Sequence, residues 1–197
     1  MMGYLANPEL GEEHVREIRL RAGEVIDKEG WLRSGDMGCL SESGFLRVTG
    51  RYKELIITAG GENVAPVPME DSIKRLCPAI SNVMMVGDKR KFNTCLVTLK
   101  TEDASIERLH RAALLVAGVG TVSEALVSSE FKAFIQNAID ATNRDSRACP
   151  SNASRVQKFA LLARDFTVEG GELTPTLKVK RSVVEEKYAK EIAQLYA

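Results

Sequence analysis

The run Gly50-Arg51-Tyr52-Lys53-Glu54-Leu55-Ile56-Ile57-Thr58-Ala59-Gly60-Gly61-Glu62-Asn63 constrains this chain more than any other. A charged turn passes into a short apolar run, and that run into paired glycines. Leu55 to Thr58 are branched or apolar and predict a buried strand. Gly60 and Gly61 permit positive φ and let backbone or ligand come close, although paired glycines also serve as plain turn punctuation. Arg51, Lys53 and Glu54 stand just before the strand, where a chain can bend. Upstream the pattern is one of small hairpins. Downstream it is that of a compact mixed domain. The stretch therefore reads as a boundary.

Val15, Ile18 and Ala22 allow one exposed helix in the polar segment from Asn7 to Asp27. Met37 to Leu40 and Phe45 to Thr49 flank Ser41-Glu42-Ser43-Gly44 and predict a hairpin. After the boundary, Pro66 and Pro68 restrain the chain, and Met69 to Leu76 predicts a short helix stopped by Cys77-Pro78. Ser81 to Val86 and Thr94 to Lys100 read as an antiparallel pair. Ile106, Leu109, Ala113 and Leu114 mark a helical face between Ala104 and Ala117. Thr121-Val122-Ser123-Glu124 has capping-box form, and the helix after it carries Phe131, Phe134, Ile135, Ala138 and Ile139 on one side. Gln157 to Ala163 is a further strand. Val183, Val184, Lys187, Tyr188, Ile192 and Leu195 line a final helix. Strand, helix, hairpin, helices, strand, helix is an α+β order.

With 197 residues and 44% hydrophobic content, the chain can bury a core as one large or two small domains. Zero formal charge and 6% aromatic residues leave little for phosphate contacts or base stacking, so no nucleic-acid partner is expected. Lys89-Arg90-Lys91 reads as a solvated turn. Cys39, Cys77, Cys95 and Cys149 form no Cys-x-x-Cys pair. No metal site is expected from them, and they read as reduced thiols of a cytoplasmic protein. The longest apolar run, Ala112 to Val119, is shorter than the ~20 residues that cross a bilayer, so any membrane contact would be peripheral. His14 and His110 have no partner at metal-ligand or catalytic spacing.

Several side chains suit chemistry. Lys178 follows Thr174-Pro175-Thr176-Leu177, a composition that favours an extended loop over a helix start. A compact ammonium on such a loop suits a phosphate or carboxylate that gains charge during reaction. Lys180 is a rival, and the plain alternative is a basic flank of the final helix, a mildly unfavourable place for positive charge. Asp36, beside Gly35, can accept two hydroxyl hydrogen bonds, or it can bond its own backbone in a turn. Arg51 has the planar fork that suits ribose or phosphate oxygens. Lys53 is either a pivot or an ordinary exposed lysine. No Gly-x-x-x-x-Gly-Lys-[Ser/Thr] loop is present.

Gly-Arg-x-Lys-Glu-x-Ile followed by Gly-Gly-Glu-Asn resembles the hinge motif of the adenylate-forming enzymes, and most nearly the bubblegum type of long-chain acyl-CoA synthetase. Gly30-Trp31-Leu32-Arg33-Ser34-Gly35-Asp36 and Gly170-Gly171-Glu172-Leu173-Thr174-Pro175-Thr176-Leu177-Lys178-Val179-Lys180-Arg181 agree with that family in order and spacing. The resemblance implies a small mixed C-terminal lid domain with antiparallel strands and packed helices at 54–197. A hinge at 51–53 would precede it, and the β-hairpin end of a truncated N-terminal adenylation domain would occupy 1–50. It implies a long-chain fatty acid–CoA ligase, using ATP, Mg2+ and coenzyme A to make acyl-adenylate and then the thioester. Lys178 would be the catalytic lysine, with Arg181 as its trailing arginine. Asp36 and Arg51 would bind nucleotide, Lys53 would be the hinge, and Gly60 and Gly61 would lie near the coenzyme A thiol. Thr176-Leu177 stands where the wider family has Ser-Gly, as in long-chain synthetases. The family's Ser/Thr/Gly-rich phosphate motif and its acyl tunnel belong upstream, so the isolated fragment is expected to be inactive. The abrupt Met1-Met2-Gly3-Tyr4-Leu5 start fits such a fragment, and Asn7 to Asp27 is longer than in similar synthetases. The resemblance also implies a cytoplasmic location with peripheral contact at the endoplasmic reticulum or another membrane. The competing expectation is a non-catalytic truncated product or interaction module that keeps the lid fold.

Overall fold

The fold is that of a computed structural model in which residues 9, 11–13, 15–16, 26–102, 107–111 and 118–197 are described. The chain divides into two compact units, Met1–Lys53 and Glu54–Ala197.

Among its described residues the first unit is built on a hairpin, β1 (Asp36–Leu40) against β2 (Leu46–Arg51), antiparallel. Its turn closes because Ser41 and Phe45 exchange bonds. The Ser41 amide donates to the Phe45 carbonyl at 2.9 Å, and the Phe45 amide donates to the Ser41 hydroxyl at 2.9 Å. Gly44 supplies the positive φ, +83°, that the turn requires. The register pairs Gly38 with Val48 but Met37 with Gly50, so Thr49 is an extra residue, a bulge. Among the described residues the hairpin is largely open to solvent. Leu40, Phe45 and Leu46 are each more than 70% exposed. Residues 12, 13, 15 and 16 are helical, whereas Ile18 and Ala22, which shared the expected helical face, lie outside the described residues, as does His14.

The second unit is organised on a three-stranded sheet of order β5-β6-β7. β5 (Ile80–Val86) pairs antiparallel with β6 (Asn93–Leu99), and β6 pairs parallel with β7 (Val156–Leu161). All 7 residues of β6 are buried, which makes it the central strand with both faces covered. Alternation sorts the side chains. Val83, Met85, Cys95, Val97 and Leu99 face one core, with Met69 and Ile73 of α1 (Pro66–Leu76) and Phe131, Ile135 and Ile139 of α3 (Ser129–Arg144). Met84, Val86 and Leu96 face the other, with Val184 of α4 (Arg181–Lys187) and Ile192 of α5 (Ala189–Tyr196). A short hairpin of β3 (Ile56–Ile57) and β4 (Asn63–Val64) lies at the start of the unit. α2 (Val122–Val127) opens with the expected capping box, Thr121 and Glu124 each accepting from the other's end of the turn. Ser128 then caps α3 by accepting from the Phe131 amide at 3.1 Å.

The observed fold is α+β, with four differences from the expected elements and one strand direction that the sequence left open. Leu55 to Thr58 gives only the two-residue β3, because Tyr52–Glu54 winds into a 3-10 turn first. α1 begins at Pro66 rather than at Met69, because a proline whose missing amide needs no partner can stand in a first turn. Leu109 is not helical. It bridges Thr101 and is fully buried, while Ile106, Ala113 and Leu114 lie outside the described residues. β7, expected as a further strand with no stated direction, runs parallel to β6, since α2 and α3 supply the long crossover that parallel pairing needs. The final helix is two, broken at Tyr188 (φ −107°, ψ 26°), whose ring packs on Phe166 at 5.9 Å.

Candidate functional site

The Lys178 loop is a small antiparallel excursion with a tied base. Leu173 bridges Val179. The Leu177 amide donates to the Thr174 carbonyl at 2.8 Å, and the Lys178 amide donates to the Thr174 hydroxyl at 3.0 Å. Leu177 takes φ +60°, a left-handed turn position that a branched-chain residue occupies at a cost of about 1 kcal/mol. Lys178 follows it and is exposed, as is Lys180. The side chain at 178 is thus carried outward, not held in the core.

Two buried carboxylates tie this loop down, and sequence reasoning assigned neither. Glu70 of α1 is buried and accepts from Arg181 Nη2 with both oxygens, at 2.9 and 2.7 Å. The same carboxylate accepts from the Met85 amide at 2.7 Å, and Arg181 Nη1 donates to the Met85 carbonyl at 3.3 Å. The trailing arginine of the motif is therefore a fastener between α4, α1 and β5. Glu172, 2% exposed, accepts from Lys187 Nζ and from the Thr167 amide at 3.4 Å. Burial pushes its carboxyl up, but the Lys187 ammonium and the Glu172 and Thr167 amides outweigh burial and hold it below the ordinary glutamate range. The Lys187 ammonium is correspondingly raised, chiefly by its hydrogen bond to Glu172. A signal for Glu70 was available: it sits between Met69 and Ile73, on the face that α1 buries. A charge there calls for a counter-charge.

The paired glycines join β3 to β4. Thr58 closes the turn, its carbonyl accepting from the Gly61 amide at 2.9 Å and its hydroxyl from the Glu62 amide at 3.2 Å. Gly61 has φ +78° and open space where a Cβ would stand. At Gly60 a Cβ would meet only the Thr58 hydroxyl, at 3.8 Å. The Lys89-Arg90-Lys91 turn is exposed, as expected, and backs this loop, the Ala59 amide donating to the Arg90 carbonyl at 2.9 Å. Glu62 accepts from the Ser151 hydroxyl at 3.2 Å. Ser151 lies at the rim of a polar cleft of about 520 Å³ with Asn143, Arg144, Cys149, Asn152 and Arg155.

In the first unit the hairpin brings two expected residues together. Asp36 and Arg51 are direct cross-strand partners, with Arg51 Nε 3.3 Å from Asp36 Oδ1. Asp36 begins β1 rather than sitting inside a tight turn, and its amide donates to the Ser34 hydroxyl at 3.1 Å. Both side chains are solvent-accessible, so an oxygen-rich ligand could be met by an acceptor and a donor fork side by side. Lys53 lies exposed in the 3-10 turn, and the division between the two units falls directly after it.

Among the described residues, no group of three or more His, Cys, Asp or Glu side chains is arranged to hold a metal ion. Nor is any of their helices long and apolar enough to cross a membrane. The four cysteines are free, and Cys77, Cys95 and Cys149 are buried. Burial pushes the Cys77 thiol up to about 11 and raises Cys95 further, so neither is a ready nucleophile.

Several known proteins are similar to this chain. A long-chain-fatty-acid–CoA ligase, ACSBG2 of Gallus gallus, is 47% identical over 184 residues, covering 88% of this chain and 24% of that protein. The Homo sapiens ACSBG2 is 45% identical over 208 residues, covering 99% of this chain and 29% of that protein. The chain thus spans about a quarter of the length of these relatives. Among solved structures, the adenylation domain of a Mycobacterium chelonae carboxylate reductase superposes with a TM-score of 0.69 at 21% identity, over 90% of this chain and 25% of that one. The adenylation domain of a Segniliparus rugosus carboxylic acid reductase, solved with AMP and a carboxylic acid, gives 0.68 at 19% identity, over 89% of this chain and 25% of that one. These two likenesses establish the fold alone. The profile of the AMP-binding enzyme C-terminal domain matches residues 53–197, well over half of the sequence, and the chain belongs to that family.

Proposed function

We propose that this chain is the C-terminal part of a long-chain fatty acid–CoA ligase and works as the mobile cap of that enzyme. In the whole protein a fatty acid carboxylate attacks the ATP α-phosphate and releases pyrophosphate, leaving acyl-adenylate. The thiol of coenzyme A then takes the acyl group and releases AMP. Lys178 donates to the carboxylate and α-phosphate oxygens as charge builds on them in the first step. Asp36 and Arg51 meet the nucleotide, the carboxylate taking ribose hydroxyls. Magnesium arrives on the ATP phosphates as part of the substrate.

The single observation that carries this reading is the outward presentation of Lys178 on a loop whose base is fastened by two buried carboxylates. An ammonium so placed has a fixed root and a free tip, which suits a group that must reach a partner surface. The boundary after Lys53 supports a pivot there, turning the cap between the two half-reactions. The second pose presents Gly60 and Gly61 to the thiol, where the open space at both positions leaves room for a narrow arm. Free thiols support a reducing, cytoplasmic setting, with fatty acid collected by peripheral contact with a membrane.

The test is made in the ligase of full length. Lys178→Ala should cut pyrophosphate release by about a hundredfold or more and spare thioester formation from supplied acyl-adenylate. Equal loss in both half-reactions would remove Lys178 from the assigned role. The 197-residue chain alone should release no pyrophosphate from ATP and fatty acid. Release by that chain would overturn the division of labour proposed here.

A further inference from the structure

The Lys178 loop and the helix that follows it form a closed circuit. The chain leaves Glu172, turns at Thr174 to Leu177, passes Lys178 and enters α4 at Arg181. Seven residues of helix later it ends at Lys187, and the Lys187 ammonium returns to the Glu172 carboxylate. The circuit is braced across its middle. The Lys180 amide donates to the Glu172 carbonyl at 2.7 Å, and the Thr174 amide donates to the Lys178 carbonyl at 2.8 Å. Glu172 therefore holds the loop twice, through its side chain on α4 and through its backbone on Lys180. Lys178 stands two residues further along the same ladder.

Gly170 gives independent support. A Cβ there would lie 2.2 Å from Glu172 Oε2 and 2.8 Å from the Thr167 hydroxyl. The backbone has been cleared at that point for the carboxylate, and the Gly170 carbonyl also accepts from Lys187 Nζ at 3.4 Å. A glutamate at 2% exposure is a costly way to close a loop that packing alone could close. Its use makes sense where the direction of the loop matters more than its stability.

We propose that Glu172 and Lys187 are positioning residues for adenylate formation. Their ion pair fixes the root of the Lys178 loop, and so the direction in which the Lys178 ammonium reaches the reacting phosphate. This rests on the role given to Lys178 above. Neither residue touches substrate. Loosening the circuit lets the ammonium sample positions off the reacting oxygens, and a misplacement of about 1 Å is enough to cost up to a hundredfold in rate.

The experiment uses the full-length ligase with Lys187→Met, Lys187→Arg and Glu172→Gln, each alone and on a Lys178→Ala background. Lys187 is the primary site because its side chain is 47% exposed, so its replacement leaves the core intact. Lys187→Met should slow pyrophosphate release by roughly ten- to a hundredfold while thioester formation from supplied acyl-adenylate changes by less than about twofold. Lys187→Arg should restore most of the rate. On the Lys178→Ala background neither Lys187→Met nor Glu172→Gln should slow adenylation further, since the group they position is already gone. In the 197-residue chain, the Lys178 and Lys180 amides should exchange with solvent about tenfold faster in Lys187→Met than in the parent. Equal loss in both half-reactions, a further loss on the Lys178→Ala background, or unchanged amide exchange would overturn the inference. A parental rate in Lys187→Met beside a normal loss in Lys178→Ala would defeat the inference alone. An unchanged rate in Lys178→Ala would defeat the role of Lys178 and the inference with it.

Discussion

Arg181→Met asks how firmly α4 is fastened to the rest of its unit. The substitution removes two charge-assisted bonds from Nη2 to Glu70, at 2.9 and 2.7 Å, and one from Nη1 to the Met85 carbonyl at 3.3 Å. Methionine fills much of the stem volume, so packing loss is small. Glu70 keeps only the Met85 amide at 2.7 Å. With its side chain 10% exposed, the carboxylate stays largely dehydrated and has lost its counter-charge. Breaking a buried pair from one side costs about 3–5 kcal/mol. The Arg181 side chain is 21% exposed, and water drawn into its place offsets part of that, so the expected loss is about 2–4 kcal/mol. At a mid-range urea slope of about 2 kcal/mol per M, the midpoint should fall by roughly 1–2 M.

Helical circular dichroism is the better readout, because α1 to α5 belong to the unit Glu54–Ala197 and hold most of the helix among the described residues. The single tryptophan, Trp31, lies in the other unit and would report on the wrong transition. Adding Glu70→Gln should return at least about 1 kcal/mol of the loss, since a neutral amide is cheaper to strand than a carboxylate. A loss below about 0.5 kcal/mol would mean the pair behaves as a surface contact, and the fastening argument would fail. A double variant less stable than Arg181→Met would refute the assignment of the cost to a stranded charge.

Further outcomes follow from other features. Gly61→Ala should cost about 1 kcal/mol in urea unfolding through its φ of +78°. Gly60→Ala should leave unfolding unchanged, so a slower thioester step in Gly60→Ala would report steric obstruction and not misfolding. Glu172 has its folded value below the ordinary 4.5. Its contribution to stability is therefore complete above about 4.5 and is lost as pH falls through the lower folded value. Glu172→Gln should accordingly flatten the acid limb of a melting-temperature profile, and an unchanged limb would count against the pairing. Thr121→Ala breaks the α2 capping box and should cost about 1 kcal/mol, measured by the same urea series. Phe45→Ser with Leu46→Thr on the exposed hairpin should lower binding of a hydrophobic dye while the helical unfolding midpoint stays fixed.

Much of this structure was legible in sequence because local chemistry and tertiary packing agreed. The Ser41–Gly44 turn, the Thr121 capping box, the apolar side of α3 and the β5–β6 pair each announce themselves within a few residues. What failed or was left open depended on distant partners. The direction of β7 is set by a crossover some sixty residues long in sequence, which alternation cannot encode. Leu109 looked helical by spacing, but its burial is satisfied by bridging Thr101. The stripe on the last helix was right at Val184 and Ile192, yet periodicity gives no sign of the break at Tyr188, where a ring contact with Phe166 coincides with it. At the candidate site, motif residues such as Lys178 and Arg51 stood out by type. Glu70 and Glu172 did not, because what distinguishes them is a partner that lies 111 residues away in one case and 15 in the other.

The bulge at Thr49 has an outcome of its own. Were Thr49 paired in plain alternation, Met37 would face Thr49 and Asp36 would face Gly50, leaving the guanidinium one step beyond the carboxylate's reach. Leaving that one residue out of the ladder is thus what keeps an acid opposite a base at the mouth of the hairpin. Deleting it would close the ladder in plain register, with Met37 still opposite Gly50 and Asp36 still opposite Arg51, so the charge pair would survive while the local bend was lost. Pairing and bend are separable here, and a variant shortened by that one position would keep the first and lose the second.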